Sequence, residues 1–218
     1  MKLLGAVEKP FYAAVDPLVA WLIRSGVRPN TITTIGTGLV LISAVVYATG
    51  HIRIGGLLLL LSGVADTLDG QVARGGAMVT RFGAFYDSTL DRVGDAAIFG
   101  GLVLYFAGAH ENGLGAGFAL ACLILGFVVS YSKARAEGLG MTANVGIAER
   151  ADRLLAALLA TFLVGLGVSV VLLVVVLGLL SVASVVTIVQ RMVAVRRQAL
   201  ARTPHGTPDQ HSPGVSTP

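Results

Sequence analysis

The sequence predicts an all-α integral membrane protein, with six transmembrane helices preceded by an N-terminal interfacial amphipathic helix. Three observations carry that expectation. Of 218 residues, 55% are hydrophobic and 13% charged, with a mean hydropathy of +0.80; a water-soluble domain of this length would carry more charge and a polar face on each helix. Several apolar runs reach the roughly 20 residues needed to cross a bilayer. Lys and Arg collect at alternate ends of those runs. The net charge of +4 could suggest nucleic acid, but the basic residues fall where membrane topology wants them, and nucleic-acid binding is discounted.

Residues 1–28 form the predicted juxtamembrane helix. Lys2, Lys9, Arg24 and Arg28 surround a short amphipathic stretch, not an uninterrupted apolar core ending at a small-residue cleavage site, so no cleavable signal peptide is expected. Phe11, Val15, Leu18, Val19 and Leu22 share one broad face with Trp21 nearby, as in a helix lying on the membrane surface. Arg28-Pro29-Asn30-Thr31 then breaks and restarts the chain, with Asn30 or Thr31 expected to cap the next helix. Residues 29–201 make the six-span domain, with spans expected near 31–49, 54–74, 82–108, 114–136, 151–167 and 169–190. The fifth and sixth are joined by a tight turn around Gly165-Leu166-Gly167. Residues 202–218, rich in Pro, Thr, Ser and His, are expected to be a disordered cytoplasmic tail. The lone Cys122 lies in an apolar run and reads as a small packed residue.

Loop charges orient the chain. One side holds Arg24, Arg28, Arg74, Arg81, Lys133, Arg135, Arg150, Arg153, Arg191, Arg196, Arg197 and Arg202; the other holds Arg53 in one turn and only His110 and Glu111 in the next. By the positive-inside rule the protein is multi-pass in the cell membrane, with both termini and the loops beside the acidic residues cytoplasmic.

Carboxylates are expensive next to hydrocarbon, so those on membrane segments call for a partner. Asp66, Asp69, Gly70 and Ala73 are spaced i, i+3, i+4, i+7 and share a helical face, while Asp87 and Asp91 are i, i+4 on the following segment, after Gly83. The small residues Gly70, Ala73 and Gly83 are expected to let these two helices approach closely, the acidic pairs facing each other across the contact. Asp66 lies eight residues before Arg74, about 12 Å inside the cytoplasmic end at 1.5 Å per residue, which is a shallow, wet depth. Four like charges there repel unless compensated. Hard divalent cations bound through oxygen compensate them, and magnesium keeps positions open for substrate phosphates. A purely structural network with Arg74, Arg81 and Arg92 is disfavoured, since Arg92 is adjacent to Asp91 and is expected to point elsewhere. A magnesium transporter would need a polar path to the far side, where Ile98 to Phe106 and Phe118 to Val129 read as apolar.

Taken together, Asp66-x2-Asp69-Gly70-x2-Ala73-Arg74-x8-Gly83-x3-Asp87-x3-Asp91 resembles the signature of the CDP-alcohol phosphotransferase family at every position. The resemblance implies a dimeric membrane enzyme that transfers a phosphatidyl group from a CDP-linked lipid to an alcohol and releases CMP. It implies that Asp66, Asp69, Asp87 and Asp91 hold two Mg2+ ions (with Mn2+ a possible substitute) and that Asp91 also serves as general base. It further implies that Pro29, Asn30, Thr31, Ile32, Gly70, Arg74 and Thr80 bind CDP-diacylglycerol. A helix N-terminus with free N–H groups, as expected at residues 29–32, suits an anionic ligand.

A second cluster bears on the acceptor. Ser130, Lys133 and Arg135 end the fourth segment, Arg153 opens the fifth and Arg191 ends the sixth. All come to the cytoplasmic face, where arginine forks and a lysine point charge suit a phosphate monoester. Thr80-Arg81-Phe82-Gly83, Lys133-Ala134-Arg135-Ala136-Glu137 and Gly146-Ile147-Ala148-Glu149-Arg150 look like one branch of that family, the bacterial phosphatidylinositol phosphate synthases. That resemblance implies 1D-myo-inositol 3-phosphate as acceptor, bound by Ser130, Lys133, Arg135, Arg153 and Arg191. Glycerol 3-phosphate, another phosphorylated polyol, is the alternative.

Overall fold

The computed structural model describes residues 15–108 and 110–202, and within them the chain is helical and contains no strand. Helix α1 runs over 15–24. It is followed by α2 (Pro29–Ala48), α3 (Ile52–Gly75), α4 (Arg81–Ala107), α5 (Gly113–Gly138), α6 (Arg150–Gly165) and α7 (Val171–Arg202). Among the described residues, three helices are long and apolar enough to cross a membrane: α2, α5 and the Val171–Ala201 stretch of α7. Charged residues interrupt α3 and α4, and α6 has only 16 residues, so length and composition alone do not single these out.

In each of the three apolar helices less than half of the apolar window is buried inside the protein. Ile35, Ile42 and Val45 of α2, Ile124 of α5, and Leu179 and Val182 of α7 all point outward. In water such a surface would cost about 25 cal/mol per Å², whereas lipid tails are as apolar as the side chains themselves.

The helices close a ring. α2 packs on α3 and α4, α4 on α5, α5 on α7, α7 on α6, and α6 back on α3. Inside it lies a core of Tyr47, Phe99, Leu102, Tyr105 and Phe106, joined by Leu173 and Leu177. Two polar side chains find their partners within the bundle, as a lipid environment favours. Tyr47 donates to Thr161 Oγ1 at 3.1 Å, tying α2 to α6, and Ser43 donates to the Gly55 carbonyl at 2.7 Å, tying α2 to α3.

The seam between α2 and α4 is tight because Gly101 has no side chain: a Cβ there would stand 2.6 Å from the Ala44 carbonyl oxygen. Gly101→Val is therefore expected to destabilise the fold by about 3 kcal/mol through overpacking, read as a lower unfolding temperature in detergent. An unchanged transition would contradict this packing.

Several sequence expectations need correction. α2 starts at Pro29, with Arg28 as the N-cap residue and no side-chain cap bond, so neither Asn30 nor Thr31 caps it. Proline pre-sets the helical φ at the first position, which draws the start upstream. α3 and α4 do not make the expected close contact; α2 packs against both. The missing side chain at Gly83 gives room to Thr80 and to Asn30 of α2, and that at Gly70 to Arg74. α7 continues well past 190 to Arg202. Its last turns are rich in good helix formers and contain neither Gly nor Pro, and Gln198 on them bonds the Thr142 backbone in both directions. Val15, Val19, Leu22 and Ile23 of α1 pack inward around Ile32, Leu68 and Val72, while Leu18 and Trp21 are the exposed members of the predicted face. Phe11 and residues 203–218 lie outside the described residues.

Candidate active site

The gap between α3 and α4, floored by α2, holds the carboxylates. Asp66, Asp69 and Asp87 each offer a carboxylate oxygen, and these three atoms lie within 4.8 Å of one another. Their settings differ. Asp66 is exposed, Asp87 half-buried, and Asp69 is buried with its Oδ2 accepting a 2.6 Å hydrogen bond from Thr33 Oγ1. The helical spacing of Asp66 and Asp69 puts both on the face turned to the gap, and Thr33 of α2 fixes the deeper of the two. Three converging hard oxygen donors of like charge suit a divalent cation.

Asp91 lies outside this tightest group of three but lines the same gap as Asp66 and Asp69. Its Oδ1 lies 2.9 Å from Nη2 of Arg150, the first residue of α6. The same guanidinium reaches Asp95 Oδ1 at 3.1 Å through Nε, and Asp66 Oδ2 at 3.9 Å through Nη1. Arg92, expected to point elsewhere, has Nη2 3.7 Å from Asp91 and 3.8 Å from Asp95. Its long side chain folds along α4 toward the residue one turn on, an i, i+3 pairing. Neither Arg74 nor Arg81 has an ion pair with these aspartates among the described residues.

Beside Asp91 opens a cavity of about 740 Å³, lined by Asp91, Arg92, Glu137, Glu149 and Arg150 together with Ser130, Lys133 and Arg191. Three of the residues expected at the acceptor site therefore share one chamber. Arg191 is buried, with Nε donating to the Val145 carbonyl at 3.0 Å and Nη1 donating to the Val129 carbonyl. Arg135 is exposed and does not line the chamber, because it sits on another face of α5 from Lys133. Arg153 does not line it either. That side chain is 1% exposed, lies against the bare backbone of Gly126, and pairs with Asp95 at 3.5 Å.

The residues expected at the nucleotide end lie near the start of α2. Pro29 and Asn30 are half-buried and Thr31 is exposed, while the Ile32 side chain is buried, leaving only its backbone available there. Asn30 and Thr31 line a shallow depression with Arg28. Thr80 caps α4, accepting from the Gly83 N–H at 2.9 Å, and Arg74 folds back over Gly70 on its own helix.

The sequence alone assigns no site role to Thr33, Arg150 or Asp95. Asp95 could have been found, since it extends the Asp87–Asp91 stripe by one turn. Thr33 and Arg150 are brought in from other helices by packing, which spacing along the chain does not reveal.

Comparison with known proteins bears on this geometry. The family model for CDP-alcohol phosphatidyltransferase matches residues 27–148. A phosphatidylinositol phosphate synthase of Streptomyces avermitilis is 42% identical over 206 residues, covering 90% of this chain and 84% of that protein. One from Cutibacterium acnes is 44% identical over 191 residues, covering 84% and 92%. The crystal structure of Mycobacterium tuberculosis phosphatidylinositol phosphate synthase with CDP-DAG bound superposes with a TM-score of 0.76 at 35% identity, covering 82% of this chain and 92% of that one. The same M. tuberculosis enzyme in complex with manganese and citrate gives a TM-score of 0.77 at 35% identity, covering 83% and 88%.

Proposed function

The chain belongs to the CDP-alcohol phosphatidyltransferase family, and we propose that it is a phosphatidylinositol phosphate synthase. It joins the phosphatidyl group of CDP-diacylglycerol to 1D-myo-inositol 3-phosphate and releases CMP. One observation supports the acceptor assignment: a chamber lined by Ser130, Lys133 and Arg191, in which the cationic side chains outnumber the carboxylates by one, opens directly beside Asp91 and the carboxylate gap.

In this reading Asp66, Asp69, Asp87 and Asp91 hold two Mg2+ ions per site, which Mn2+ can replace. The bound cations supply charge neutralisation of the diphosphate and of its CMP leaving group. The chain's own residues do the rest. Pro29 to Ile32, Gly70, Arg74 and Thr80 bind the CDP end: backbone N–H groups of the uncapped α2 start meet phosphate oxygens, and Arg74 adds a guanidinium fork. Lys133 and Arg191 hold the acceptor phosphate and Ser130 offers a hydrogen bond, while Arg153 supports the chamber wall from behind. The acceptor hydroxyl attacks the phosphatidyl phosphorus as the bond to CMP breaks, and Asp91, on the boundary of both spaces, takes the hydroxyl proton. Positioning contributes most of the acceleration, as is usual for phosphoryl transfer.

The full assignment is a six-span protein, α2 to α7 crossing the membrane, with the site and both termini cytoplasmic and two copies forming a homodimer. Positive residues at the site-bearing ends of the helices support the orientation.

Acceptor choice is testable by CMP release from CDP-diacylglycerol with purified protein and separate acceptors. Inositol phosphate is expected to support turnover at least tenfold better than glycerol 3-phosphate, equivalent to about 1.4 kcal/mol. The opposite order would reassign the protein to phosphatidylglycerophosphate synthesis.

A further inference from the structure

Thr33, Thr34 and Thr37 of α2 do not use their hydroxyls alike. A helical threonine commonly donates to the carbonyl four residues back. Thr34 does so, to Asn30 at 2.7 Å, and Thr37 does so, to Thr33 at 2.9 Å. Thr33 has the same acceptor within reach, the Pro29 carbonyl at 3.2 Å, yet its shortest contact runs across to α3, 2.6 Å from Asp69 Oδ2. A hydroxyl carries a single proton. It goes to the better acceptor, and so short a contact is that of an O–H donor on an ionised carboxylate.

Both ends of this bond are buried. The helices come close enough to make it because Gly36, one turn along α2, has no side chain: a Cβ there would stand 3.2 Å from Ala65 Cβ of α3. Among the described residues, Thr33 is the one side chain hydrogen-bonded to a member of the Asp66–Asp69–Asp87 triad.

We propose that Thr33 is a positioning residue for the cation: its hydroxyl holds the Asp69 carboxylate in the orientation in which an oxygen converges with those of Asp66 and Asp87. The proposal rests on the reading of that triad as a cation site and deepens it. A ligand that must first rotate into place gives up affinity, whereas one held by a neighbour that does not itself ligate arrives in place. Thr33 lines the gap with Asp66, Asp69 and Asp91 but not the acceptor chamber. Its effect therefore falls on cation affinity and on kcat, and leaves the acceptor's binding alone.

The test is Mn2+ titration of the purified full chain in detergent without substrate, read by the electron paramagnetic resonance signal of free Mn2+, with steady-state kinetics alongside. Thr33→Val nearly keeps the shape and deletes the hydroxyl. It is expected to weaken Mn2+ binding at least about tenfold and to lower kcat at saturating metal by about ten- to a hundredfold, with acceptor KM within about twofold. Thr33→Ser keeps the hydroxyl, and Mn2+ affinity and kcat should both stay within about threefold of the parent. Ser43→Ala is the control. It removes another buried bond between α2 and α3, to the Gly55 carbonyl, from a residue that does not line the gap, and should lower the unfolding temperature without moving Mn2+ affinity.

Mn2+ affinity within about twofold of the parent in Thr33→Val overturns the proposal, since a ligand's orienting partner is worth more than that. An equal loss of affinity in Ser43→Ala also overturns it, by making the effect one of helix packing. Loss of Mn2+ binding in Thr33→Ser does the same, even where the valine variant does not fold. Absence of Mn2+ binding in the unaltered chain would overturn the triad reading as well, so the two failures are distinguishable.

Discussion

Asp69→Asn is expected to lower kcat at least about a thousandfold, or about 4 kcal/mol of lost transition-state stabilisation. The substitution is nearly isosteric, and its amide oxygen can still accept from Thr33 Oγ1, which stands 2.6 Å from the carboxylate. What disappears is one of three charges whose oxygens converge within 4.8 Å. Asp69 is the buried member of that set, so water is poorly placed to substitute as a ligand. Three measurements separate the explanations: CMP release, Mn2+ binding and thermal unfolding. Loss of the first two with an unfolding transition within about 1 kcal/mol of the parent, as expected for an exchange that keeps its hydrogen bond, fits a cation ligand. Activity within tenfold of the parent would remove Asp69 from the cation site and, with it, the scheme built on the triad.

Arg153→Ala is expected to act on folding. Arg153 reads from the sequence as one more cation for the acceptor phosphate, but the folded chain buries it behind the chamber, paired with an equally buried Asp95. Removing one partner leaves the other charge in a poor solvent, and the guanidinium's volume becomes a void against Gly126. The expected loss is about 3 kcal/mol, below the upper end of such effects because Arg150 and Arg92 still face Asp95. Unfolding in detergent should shift markedly, while the fraction that remains folded keeps its acceptor KM to within about threefold, as fits a residue outside the pocket. A tenfold rise in KM at unchanged stability would instead return Arg153 to the acceptor site.

The two variants mark where sequence reading succeeds and where it stops. The helices were legible because apolar length and terminal charge are local, one-dimensional quantities: α2 to α6 start and stop within about two residues of where the apolar runs do. Helical spacing likewise put Asp66 with Asp69, and Asp87 with Asp91, on shared faces, since a 3.6-residue repeat needs no tertiary information. The extension of α7 was missed because hydropathy ends at the membrane surface whereas helix propensity and the Gln198–Thr142 bonds do not.

By itself, then, the chain's order of residues determined the helices, the membrane character and the pairs of acids that belong together. Only tertiary structure decided which groups those acids meet. Which guanidinium Asp91 meets, and whether Arg153 faces a ligand or a buried carboxylate, depends on how the first turn of α6 seats against α4 across the ring. Ion pairing of this kind acts over a few ångströms between residues far apart in the chain, so no local pattern encodes it.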